Sequence, residues 1–228
     1  TIKASDTGMD SKIHKNNFQM KCIKEACVET FEDAITAEKN GADRIELCSN
    51  LNLDGLTPSK SLVTRLLNTL KIPMKVMIRP REGDFCYSKD ELRQMQDDIS
   101  YFSDLGVFGV VFGVLNENNS IDVQTVNFLV ESASGLNCTF HKAIDETDDI
   151  ISQLKILIKY SKISSILSSG CSKSALSGST VLQNMIKIAK RDISIICAGS
   201  ITHRNFSEVH SLINAKEYHG KNIIDLSK

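Results

Sequence analysis

Repetition is the feature that most constrains this chain. Strand-length apolar runs occur at 21–28, 43–48, 74–79, 108–114, 137–143, 164–169, 193–198 and 216–219, and helix-length segments fall between them. In those segments apolar residues recur every three or four positions, the spacing of one buried helix face. Start and stop signals frame them. Thr30 followed by Asp33 resembles a capping box, and Gly41 closes that helix just beyond Asn40. Thr57-Pro58 puts proline in a first turn ahead of Leu62, Leu66 and Leu70. Ser88 with Glu91 repeats the box, and Asp148 and Asp149 sit where a helix dipole favours anions. No Pro-rich or Ser-rich linker interrupts the alternation, so residues 19–228 read as a single domain, a parallel sheet clothed in helices, after a polar extension at 1–18.

Such a sheet is either open and doubly wound or closed into a TIM-type (β/α)8 barrel. Central strands of an open sheet are buried on both faces and read as unbroken Val, Ile and Leu. Here polar residues gather toward the strand ends: Glu25 and Cys27, Glu46 and Cys48, Arg79, His141, and Glu217 with His219. In "ADRIELCS", Ile45 and Leu47 alternate with Arg44, Glu46 and Cys48. Side chains two apart share a face, so each set points one way, and only closure brings the eighth strand beside the first to gather them. The barrel is therefore the expected fold, with its site at the C-terminal ends of the strands. The chain stops at Lys228, nine residues after His219, too few for an ordinary eighth helix. Either the chain is truncated, or the N-terminal arm or a neighbouring subunit covers that wall; a homodimer is the expectation.

A formal charge of −1 with both signs well mixed gives no basic stripe for nucleic acid and no polybasic patch for a membrane. No apolar run approaches the roughly 20 residues of a spanning helix. The polar start lacks the apolar segment of a signal peptide, and the chain reads as soluble and intracellular. Seven cysteines without a CxxC pair point to reduced thiols, most of them small hydrophobes in the core. Nor does any spacing mark a zinc centre. Cys27 and Cys48, at matching heights on adjacent strands about 4.8 Å apart, lie near the span for two thiolates on one ion, and soft sulfur suits Cu(I). Packing alone accounts for the same two residues. Glu25, Glu46, Arg79, His141 and His219, with Asp145 from a loop, also make a pocket that can hold and protonate a small anion, or a salt-bridge network that closes the barrel top. "CAGSITHRN" offers Gly199 and Ser200 as a possible phosphate turn, ahead of a helix capped by Thr202. Tight-turn geometry explains the same letters. Cys86 lies in the loop after the third strand, Cys22 at the far end of the barrel, and His203 and His210 on the solvated last helix.

The segments "NGADRIELCSNLNLDGLTPS", "VMIRPREGDFCYS", "GVVFGVL", "TFHKAID", "ILSSG" and "KEYHG" resemble, in order, the signature stretches of the CutC family of copper-homeostasis proteins. The resemblance runs from about residue 22 to 220. It implies a TIM-type barrel, a cytosolic role in copper handling and Cu(I) binding, with Cys27 and Cys48 as the copper ligands. Lys142 stands where the family commonly has Arg, Asp54 replaces the first Gly of its "GGxTPS", and the family's C-terminal loop and last helix are absent. The rival reading is a lyase or isomerase acting on a small anionic metabolite, phosphorylated or not. In it Arg79 and the Gly199 turn hold the anion, and Glu46 or His141 is the base.

Overall fold

The computed structural model describes residues 22–227. The polar extension at 1–18 lies outside them. All eight expected strands form: β1 (Ile23–Val28), β2 (Arg44–Leu47), β3 (Met74–Met77), β4 (Gly109–Phe112), β5 (Asn137–Phe140), β6 (Ser165–Ser168), β7 (Ser194–Cys197) and β8 (Glu217–Gly220). Each pairs in parallel with the next, and β8 pairs with β1, so the sheet closes. Seven helices intervene: α1 (Phe31–Lys39), α2 (Lys60–Leu67), α3 (Lys89–Leu105), α4 (Val123–Ser132), α5 (Ile150–Tyr160), α6 (Ser179–Ala189) and α7 (Phe206–Ile213). No helix among the described residues is long and apolar enough to cross a membrane.

Alternation along the strands divides two interiors. Ile45, Leu47, Val76, Val110, Phe112, Phe140, Ile166 and Ile195 face outward and join Ala34, Leu66, Ile99, Phe102 and Leu157 of the helices in one apolar core. Each of the larger side chains among them, Val, Leu, Ile or Phe, stabilises the fold by about 1.5–3 kcal/mol when withdrawn from water. Most helix starts are those expected. Thr30 accepts from the Asp33 N–H, Ser88 and Glu91 form a complete capping box, and Asp149 takes the N–H groups of Ile151 and Ser152. Two differ. Ser59, not Pro58, is the residue that caps α2, so the proline sits outside the first turn. α7 begins after Asn205, and Thr202 instead closes a short turn by accepting from the Asn205 N–H.

No eighth helix follows β8 among the described residues. Ile223 and Ile224 are buried in the outer core, Asn40 donates to the Asp225 carbonyl at 2.6 Å, and His203 lies 3.8 Å from the Asp225 carboxylate. The residues after β8 therefore lie between α7 and α1, so the chain itself contributes cover to the wall that was expected to need an arm or a second subunit.

Candidate metal centre in the barrel mouth

Inside the barrel the polar residues fall into two layers. In the lower one, the register sets Glu25 beside both Arg44 and His219. Arg44 bridges Glu25 and Glu217, and Ser194 donates to Glu217. Lys75 donates to Thr139 at 2.7 Å and to Ser165 at 3.3 Å, with Glu25 at 3.7 Å. Burial alone would raise the Glu25 carboxyl, but Lys75, His219 and Arg44 together hold it well below the ordinary carboxylate range. Arg44 and Lys75 were not among the expected site residues. The signal for Lys75 was a basic letter on the inward face of an otherwise apolar strand, and for Arg44 its place two residues before Glu46 on the same face.

Above this layer Cys27, Glu46 and Cys48 converge. The register pairs Cys27 with Glu46 rather than with Cys48, so the two thiols are not level as expected, and a carboxylate oxygen forms a triangle with them. The sulfurs are 3.9 Å apart. Glu46 Oε1 lies 3.7 Å from Cys27 Sγ and 3.4 Å from Cys48 Sγ, and all three residues are buried. Gly55, at φ +87°, lies against Cys48: a Cβ there would come within 3.2 Å of its sulfur. Asp54 before it is also left-handed, at φ +62°, which explains why glycine suits that position and why Asp, tolerant of this conformation, can replace it.

The protons of the centre are shared unequally. The Cys48 thiol, hydrogen-bonding to Cys27, draws the Cys27 pKa down to about 5 despite burial, with His219 adding to the effect. Cys48, the partner that keeps its proton, is raised well above the usual thiol value. Burial pushes Glu46 up to about 8. Its Oε2 has no hydrogen-bond partner among the described residues and lies 3.8 Å from His219 Nδ1. His219 donates toward Glu25 across 2.9 Å. Burial disfavours its charge, yet Glu46, Cys27 and Glu25 keep the imidazole protonated well above its ordinary range. One thiolate ready to bind and one thiol ready to lose its proton to an ion is the arrangement a soft-metal site needs.

The remaining expected residues line the same mouth with differing freedom. Arg79 sits just past β3 with two nitrogens tied to the carbonyls of Leu53, Gly55 and Gly83, so it does not offer the two-pronged fork once expected for an anion. His141, after β5, accepts from the Ala143 N–H at 3.1 Å through Nδ1, which leaves the proton of the neutral ring on Nε2. Burial first, then Arg79 and Lys142, push its pKa down to about 3. It therefore presents a donor, not the lone pair of a base. Asp145, in a short 3-10 turn at Lys142–Glu146, is saturated by Ser168, Ser169 and the Cys171 N–H. Gly199, at φ +104°, and Ser200 also line the mouth, as does the exposed Cys86. Cys22 stands at the opposite end, at the start of β1, while Cys138 and Cys197 are buried thiols raised to about 12 by burial. His210 is not the solvated residue expected: it stacks on Phe206 and bonds Tyr218 at 2.8 Å.

A closed (β/α)8 barrel with two thiols and a carboxylate in mutual contact at its C-terminal rim has the donor chemistry that a soft cation would need. The chain belongs to the CutC family, whose model matches residues 22–224. It is 39% identical to the human copper homeostasis protein cutC homolog over 86% of this chain and 72% of that protein. With the CutC family protein of Mesorhizobium japonicum it shares 40% identity over 86% of this chain and 75% of the relative. The crystal structure of a putative copper homeostasis protein CutC from Streptococcus agalactiae superposes with a TM-score of 0.84 at 30% identity, covering 89% of this chain and 99% of that one. Deoxyribose phosphate aldolase from Aeropyrum pernix, at 11% identity, 88% and 86% coverage and a TM-score of 0.63, shares the fold alone.

Proposed function

We propose that the chain binds Cu(I) as cargo, as a cytosolic buffer or carrier, through Cys27 and Cys48 with Glu46 as third donor. The observation that carries this reading is the sulfur–sulfur distance of 3.9 Å with one carboxylate oxygen within 3.7 Å of both. With metal–thiolate bonds of about 2.3 Å, the length found for zinc, that separation corresponds to an angle of roughly 115° at the ion, bent toward a third ligand. Two soft sulfurs favour Cu(I) over harder cations. Family membership agrees with the choice of metal.

Anaerobic titration against a chromogenic Cu(I) chelator tests it. The wild-type chain competes for one ion, and the Cys27→Ser, Cys48→Ser double variant loses at least about a hundredfold in affinity. A double variant that competes as well as wild type contradicts the assignment.

A further inference from the structure

The sulfur centre uses one wall of a much larger space. The mouth encloses about 740 Å³, within the range of sites for small organic molecules. Two of its side chains carry donors that meet no acceptor at hydrogen-bond geometry among the described residues, Arg79 Nε and His141 Nε2, with the Tyr87 hydroxyl beside the guanidinium. Both residues are deeply buried, 6% and 4% exposed, and orphaned donors in such positions are rare in folded proteins. Neither can easily turn to find a partner. The other two guanidinium nitrogens are tethered to the Leu53, Gly55 and Gly83 carbonyls. The imidazole is pinned by the Ala143 N–H and leans on Gly113, where a Cβ would fall 2.5 Å from Nδ1. Phe85 joins them, its ring 4.8 Å from the imidazole and 5.0 Å from the guanidinium carbon.

What completes such a pair is an acceptor, and the Arg79 guanidinium, whose own partners are neutral carbonyls, favours a negatively charged one. Lys142 and Lys173 line the cavity and pair with no carboxylate among the described residues. Of the acidic lining, Asp84 is engaged by Arg81 and Asp145 is saturated, while Glu46, Asp54 and Glu146 share the wall with these lysines. We propose that the mouth binds a small organic acid, a carboxylate or a phosphate ester, whose oxygens accept from Arg79 Nε–H and His141 Nε2–H. This site goes beyond the copper reading and does not depend on it.

Calorimetric titration of the full chain at matched ionic strength tests it, with malonate and inorganic phosphate as probes in separate arms. Saturable binding in either arm is expected, and the arm that responds names the acid. His141→Phe keeps a ring and removes the donor, and should weaken that binding at least about tenfold. Arg79→Lys should do the same while keeping a charge. The Cys27→Ser, Cys48→Ser variant should bind the probe as wild type does, which separates this site from the metal centre. Absence of saturable binding in both arms, or wild-type affinity in His141→Phe and Arg79→Lys alike, overturns the proposal.

Discussion

Below the level of Cys27, Glu25, Arg44, Lys75 and Glu217 bond to one another and to Thr139, Ser165 and Ser194. Above it, Glu46 Oε2, Arg79 Nε and His141 Nε2 make no hydrogen bond among the described residues. Both layers bury ionisable groups, which is costly unless each charge is paired. The lower layer meets that requirement internally and so acts as a polar plug that closes the barrel. The upper layer leaves it unmet, and residual bonding capacity at the C-terminal rim is what a ligand site in this fold requires.

The comparison breaks if the two layers respond alike to neutralisation. Glu25→Gln leaves Arg44, Lys75 and His219 buried without their shared counter-charge, and should destabilise the chain by about 3–5 kcal/mol in urea unfolding. Glu46→Gln, at a carboxyl raised to about 8 and so already protonated at neutral pH, should cost about 1 kcal/mol or less. Equal losses would erase the distinction. The pH profile sharpens it. Because the folded Glu25 pKa lies below its ordinary 4.5, its contribution is present above that value and lost as the pH falls toward the folded one. The acid limb of stability should therefore flatten in Glu25→Gln.

Gly113→Ala tests the upper layer from behind. A Cβ 2.5 Å from His141 Nδ1 must displace the imidazole, with an expected loss of about 1–3 kcal/mol in thermal or urea unfolding, while copper affinity stays near wild type. A stable Gly113→Ala variant would show that His141 is not held where the ring now lies. A smaller effect concerns protons. Cys27, near 5, is a thiolate at neutral pH, but Cys48 must surrender its proton to the ion, and Glu46, raised to about 8, must do the same to bind as a carboxylate. Cu(I) affinity should therefore rise by about tenfold per pH unit or more between 6 and 8, measured by chelator competition, and a flat profile would mean that neither Cys48 nor Glu46 binds the ion.

Much of this was legible in the sequence because a barrel strand has a period of two. That period alone sorted Glu25, Cys27, Glu46, Cys48 and His219 onto the inner face. Pairing between distant strands was not legible. The offset that sets Cys27 beside Glu46, making the carboxylate a neighbour of both sulfurs, appears only once β1 and β2 are aligned. Nor could spacing tell a free polar group from a saturated one. Asp145 read like Glu46 until Ser168, Ser169 and Cys171 were seen to occupy it. The role of Ile223 and Ile224 in covering the last wall was hidden because two apolar letters carry no periodicity.

Copper K-edge absorption on the Cu(I)-loaded wild-type chain probes the central claim most directly. Two sulfur neighbours and one lighter atom around each ion, with the sulfur shell gone in the Cys27→Ser, Cys48→Ser variant, is the result expected of a centre built from Cys27, Glu46 and Cys48. A shell of nitrogen and oxygen only, or a sulfur shell unchanged in that variant, would contradict it.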